Sequence, residues 1–197
     1  MGKPKQRQQL SWDEFRELRH QLERTSRSAA LAANLMWYLG LRVTETTRIT
    51  WADCGTLDTI TRRLSIPAAY TKNHHARTIP IPLPLARKLI AQQKHHYIQD
   101  SPLNYHRTVI SRKPNQNAPT PRAIQKAFSK AAAIAGLGRI TPHTIRHTFA
   151  TRLLAVSSTR LVQLALGHKS ITTTELYTHP TIDQIELAMA RAFVEEN

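Results

Sequence analysis

Two short runs carry residues that could handle an anion. In "TPHTIRHTFA" the Thr-Pro opening fixes a helix register in which His143 and Arg146, three apart, share one face beside the free N–H groups of a helix start. Such a corner binds phosphate or carboxylate, although the segment alone is equally a surface pair near a helix end. In "LGHKSITTTELYTHP" His168, Tyr177 and His179 stand in a setting too polar for an ordinary core helix. Alone, Tyr177 reads as a half-buried aromatic with a wet hydroxyl, and a nucleophilic role needs other residues to support it. Arg42 in "GLRVTE" follows a strongly apolar run, so it is either exposed or aimed into a cleft. Lys72 by itself is an ordinary hairpin lysine. His143 and His147 have zinc-ligand spacing, but the glutamate of a zinc-protease helix is absent and Arg146 would repel a cation. No metal and no other cofactor is expected.

The charge narrows the class of anion. Lys and Arg number 28 against 13 Asp and Glu, a formal net charge of +15. From Thr59 to Thr174 there are eighteen Lys or Arg and one acid, Asp100, so the positive charge is concentrated in the middle of the chain. Arg outnumbers Lys by 19 to 9, which favours forked contacts to phosphate. A polyanion is the partner this balance fits; a basic ribosomal-type or solubilising surface is the plainer alternative. No apolar run is long enough to span a membrane and no secretory signal is readable. The single Cys54 can form no internal disulfide, and a cytoplasmic, reducing location is the expectation.

The elements that must position these residues are mainly helical. Ser11 and Glu14 form a capping box for a helix with Phe15, Leu18 and Leu22 on its apolar stripe, and "SAALAANLMWYLG" is a core helix ended by Gly40. Thr44 is expected to cap a further helix, which leaves Arg42 between two helices. Residues 53–82 are rich in β-branched types and read as a small antiparallel sheet of two or three strands, with "TKNHHA" as a loop. Helices follow over Leu85 to Tyr97, after Thr120, after Thr141, over "STRLVQLALGH" to Gly167, over "SITTTELYT", and from a Thr181 to Gln184 capping box. The fold class is α+β. Residues 1–10 read as a basic leader and 11–197 as one domain. The register of Ile145, Phe149 and Leu153 points that stripe inward and keeps His143 and Arg146 near the surface.

Taken together the pieces resemble the tyrosine recombinases, also called the phage integrase family. "GLRVTE", "YTKNHHARTIPI", "HTIRHTFAT", "LGHKS" and "TTELYTH" occur in that family's order and near its spacings, from about Ser11 to Thr181. Each motif is weak alone; the ordered set is specific. The resemblance implies that Arg42 and Arg146 are the catalytic arginines, Lys72 the hairpin lysine, His143 and His168 the two histidines, and Tyr177 the nucleophile. It further implies site-specific recombination through a covalent 3′-phosphotyrosine, independent of metal and ATP, in a homotetramer on DNA. Integration, excision or inversion would be the outcome, with accessory DNA-bending proteins as further candidate partners. Most members carry an N-terminal core-binding domain, so the chain is either similar to the compact fimbrial switch invertases or a truncated or partner-dependent enzyme. In the family the amphipathic C-terminal helix, here with Ile182, Ile185, Met189 and Phe193, docks on a neighbouring protomer; packing on its own body is the alternative.

Elementary chemistry supports those roles. Attack on a phosphodiester builds charge on the non-bridging oxygens, and two guanidinium forks can hold it in a fixed geometry. A tyrosine with an ordinary pKa near 10 loses its proton more readily beside arginines, with His143 as acceptor. Lys72 can protonate the departing 5′ oxygen, while His168 donates to the phosphate. His179 is more simply a helix C-terminal histidine facing the dipole. Two rivals remain: a non-catalytic helix-turn-helix-like regulator, and a type IB topoisomerase with the same chemistry.

Overall fold

The computed structural model describes residues 9–59, 62–71, 74–99, 106–111, 117–167 and 180–193. Lys72, His168, Tyr177 and His179, with the helix expected over "SITTTELYT", lie outside the described residues.

Helix α1 (Trp12–Thr25) begins at the Ser11–Glu14 capping box and buries Phe15, Leu18 and Leu22. Helix α2 (Arg27–Leu39) is the central element. Its residues from Leu35 to Leu39 are all 1% exposed or less, and its Trp37 ring stacks on Phe15 at 4.0 Å between centroids. Each such large apolar side chain contributes about 1.5–3 kcal/mol by leaving water. Gly40 ends the helix at φ 61°, and a Cβ there would stand 2.3 Å from a ring carbon of Phe149. Glycine is required at this position by conformation and by space.

The next helix is shorter than the sequence suggests. α3 (Val43–Thr46) is a single turn, and its N-cap is Arg42, not Thr44. The Glu45 carboxylate accepts the Arg42 backbone N–H at 2.7 Å, so the cap forms two residues earlier than a Thr44 hydroxyl would place it. The sheet has two strands among the described residues, β1 (Arg63–Ile66) and β2 (Arg77–Pro80). They run antiparallel with Ile66 opposite Arg77. In the segment joining them the Thr71 hydroxyl accepts the His75 N–H at 3.1 Å, which ties together the two flanks of Lys72.

Helices α4 (Leu83–Gln99), α5 (Pro121–Ile134), α6 (Pro142–Leu154) and α7 (Thr159–Leu166) follow, and α8 (Ile182–Ala192) closes the chain. Thr120, Thr141, Ser158 and Thr181 each cap a helix through a side-chain oxygen, as their types and spacing indicate. Helix α8 lies against β2, α6 and α7 of its own chain, with Ile185, Met189 and Phe193 buried. Arg152 fastens its end: the guanidinium sits 4.7 Å from the Trp37 ring centroid and 4.4 Å from that of Phe193, and donates to the Ala192 carbonyl at 2.7 Å.

Candidate active site

Helix α6 starts at the Thr141 cap with Pro142 in the first position, and this start aims His143 outward. Arg146 departs from the expected surface position: its residue is 9% exposed. The reason lies in two helix ends that converge on it. The last carbonyls of a helix lack intrahelical partners and carry partial negative charge, so a cation is stabilised beside them. Arg146 donates to the Gly40 carbonyl at the end of α2 and to the Leu166 carbonyl at the end of α7, the latter at 2.9 Å. Burial, and then the like charge of Arg42, push its guanidinium down to about 9. A phosphate drawn in beside it would relieve both costs.

Glu45 is the hub that makes this gathering of cations tolerable. Its side chain is 0% exposed. Arg77 binds it through two parallel bonds, 3.0 Å to Oε1 and 2.9 Å to Oε2. Arg42 reaches Oε1 at 3.2 Å, and Arg146 stands 4.0 Å from Oε2. Burial pulls the Glu45 carboxyl up, but the hydrogen bonds and charge of Arg77, the Arg42 backbone N–H and the charge of Arg146 outweigh it. The net direction is down, and the carboxylate stays ionised. One negative charge therefore serves three guanidiniums, and the surplus is positive.

That surplus faces an open cleft of about 690 Å³. Its lining includes Arg42, Thr44, Arg139, Thr141, His143 and Arg146. Arg42, with its side chain 26% exposed, and the exposed His143 present donors to it from two different helices. A tetrahedral anion fits such an arrangement, held by a fork from α3 and a fork from α6. Among the described residues no three His, Cys, Asp or Glu side chains gather as they would around a metal ion.

Of the six residues singled out from the sequence, the described structure brings together Arg42, His143 and Arg146. Lys72, His168 and Tyr177 lie outside it. Thr71 and Arg77 bracket the lysine loop, and Gly167 ends α7 at φ 67° directly before His168. Sequence reasoning missed Arg77. Its side chain is 8% exposed, and besides the two bonds to Glu45 its Nε donates to the Ala165 carbonyl at 3.2 Å. Two signals were available: Glu45 directly follows the Arg42 turn, and Arg77 opens a strand on the far side of the hairpin loop. Neither states that the two meet across 32 residues.

The sequence matches the phage integrase family over residues 8–183. The chain belongs to that family. Among its relatives, tyrosine recombinase XerA of Pyrococcus furiosus is 36% identical over 122 residues, 61% of this chain and 41% of the relative. XerA of Thermococcus onnurineus is 28% identical over 184 residues, 93% and 62% of the two chains. Tyrosine recombinase XerC of Haemophilus ducreyi is 35% identical over 147 residues, 74% and 45%. The chain thus spans less than two thirds of the length of each. A crystal structure of XerA recombinase superimposes with a TM-score of 0.68 at 23% identity, covering 98% of this chain and 66% of that one. The lambda integrase catalytic core gives 0.62 at 20% identity, covering 83% and 96%. The mainly helical phage integrase fold with its small antiparallel sheet is therefore this chain's fold. No described helix is long and apolar enough to cross a membrane.

Proposed function

We propose that this chain is a site-specific DNA recombinase that cuts and rejoins duplex DNA through a 3′-phosphotyrosine. The observation that carries the reading is the pair Arg42 and Arg146, which come from separate helices, share the buried Glu45, and face one cleft with His143. Two forks on one phosphate stabilise the charge that builds on its non-bridging oxygens.

In this reading the Tyr177 oxygen attacks the scissile phosphorus and forms an O–P bond while the bond to the 5′ oxygen breaks. His143 accepts the tyrosine proton, Lys72 protonates the leaving oxygen, and His168 donates to the phosphate. The bond energy stays in the phosphotyrosine, so a 5′-hydroxyl from a second strand can reverse the step and join the new partner. Relatives seen as a dimer on a core site and as a tetramer on a Holliday junction are lambda integrases, and they support a homotetramer on DNA here too. XerH bound to its difH substrate supports a sequence-defined duplex. Accessory DNA-bending proteins would complete the partner set, in a DNA-associated cytoplasmic setting.

The test is a duplex nicked a few nucleotides 3′ of the scissile phosphate, so that the short fragment bearing the free 5′-hydroxyl diffuses away after cleavage and religation is blocked. Wild type is expected to give a covalent protein–DNA band, and Tyr177→Phe none. No band from wild type on any duplex drawn from the flanks of its own gene would overturn the reading.

A further inference from the structure

Arg77 does not line the cleft, yet three hydrogen bonds anchor its guanidinium. Its fork clamps both oxygens of Glu45 in one plane. The third bond, from Nε to the Ala165 carbonyl, reaches the C-terminal turn of α7, from which the chain leads through Gly167 to His168. A Cβ on Gly167 would stand 2.9 Å from Arg77 Nη1, so the turn before His168 is packed directly on this guanidinium. Arg77 itself opens β2, the strand that follows the Lys72 loop. One side chain thus touches the carriers of three separate site elements: the Glu45 hub behind Arg42 and Arg146, the α7 end before His168, and the hairpin of Lys72.

We propose that Arg77 is a positioning residue for strand cleavage, fixing the plane of the Glu45 carboxylate and hence the orientation in which Arg42 meets the phosphate. The proposal rests on the recombinase reading. Charge alone does not explain the arrangement, because a lysine would neutralise Glu45 as well. A lysine offers one point charge on a flexible stem, whereas the planar fork sets the carboxylate's rotation and still reaches Ala165. The carboxylate then has its remaining lone pairs aimed at the Arg42 backbone N–H and Nη1. If the carboxylate turns, Arg42 turns with it, and a misplacement of about 1 Å at a reacting centre costs on the order of 100-fold in rate.

Arg77→Lys tests this in the full chain. Duplex affinity and the single-turnover rate of adduct formation at saturating duplex are measured together, alongside thermal unfolding. The expected result is a folded variant with affinity within about 3-fold of wild type and a cleavage rate lower by roughly 10- to 100-fold. Equal rates at saturation, or a loss confined to affinity, would overturn the proposal. If Arg77→Lys does not fold, Arg77→Met keeps the length of the stem and leaves Glu45 in place with Arg42 and Arg146 beside it. It is expected to fold, bind, and cleave slowly; wild-type cleavage by it overturns the proposal, and so does failure of both variants to fold, which would make Arg77 an element of stability alone. A wild type that forms no adduct defeats the recombinase reading instead, so the two failures are distinct.

Discussion

Replacing Glu45 by glutamine keeps its shape and removes the one negative charge among three guanidiniums. Wild-type Glu45 is fully buried, takes two bonds from Arg77 at 3.0 and 2.9 Å, two from Arg42 at 2.7 and 3.2 Å, and has Arg146 at 4.0 Å. Breaking a buried pair by removing one partner costs about 3–5 kcal/mol, because the other charge stays buried without compensation. For a chain of this size, each kcal/mol lowers the melting temperature by about 2–4 °C, so Glu45→Gln is expected to melt roughly 6–20 °C lower. The pH dependence has a definite sign. The folded carboxyl lies below its ordinary value of 4.5, so its contribution is complete above that value and is lost as pH falls through the folded one. The gap between wild type and variant is therefore widest near neutrality and closes in acid. Differential scanning calorimetry from pH 7 to pH 3 reads this directly. A melting difference of less than about 2 °C at pH 7, or a gap that widens in acid, would refute the hub argument.

Arg42→Ala and Arg146→Ala are each expected to lower the single-turnover adduct rate by about 10²–10³-fold, the usual cost of losing one donor to a developing oxyanion. Loss of nonspecific duplex affinity should be small beside this, as read by fluorescence anisotropy at fixed salt. Gly40→Ala places a methyl group 2.3 Å from the Phe149 ring at φ 61°, and should destabilise the fold by about 2–5 kcal/mol in urea unfolding. Burial, and then the charge of Asp53, raise the Cys54 thiol to about 12. A maleimide or disulfide reagent at pH 8 should therefore leave it unmodified in the native chain and label it on unfolding.

The helical frame was legible because its signals are local. Capping residues at Ser11, Thr120, Thr141 and Thr181 act within one turn, and Gly40 and Gly167 stop their helices for conformational reasons visible in the residue type. The Ile145, Phe149 and Leu153 stripe was likewise readable, and all three are fully buried. What failed depends on contacts far apart in sequence. Arg146 was expected near the surface because helical periodicity separates it from the apolar stripe. Its burial comes from the ends of α2 and α7, 106 and 20 residues away, which no periodicity reports. Arg77 was overlooked for the same reason, since its partner Glu45 belongs to another element. The one-turn α3 was overextended because Thr44 offers a good cap on paper, while the Glu45 carboxylate takes the Arg42 N–H first. Glu45 both orients arginines and caps its own helix.

The central claim is that Tyr177 attacks the phosphate held by Arg42 and Arg146. Mass spectrometry of a trapped adduct, digested with nuclease and then trypsin, tests it most directly. Cleavage after Lys169 and Arg191 yields a peptide from Ser170 to Arg191 in which Tyr177 is the only tyrosine. The account requires a residual nucleotide joined through its 3′ phosphate to Tyr177 of that peptide. A nucleotide on any other residue, or a cleaved duplex with no nucleotide on the protein, would contradict it.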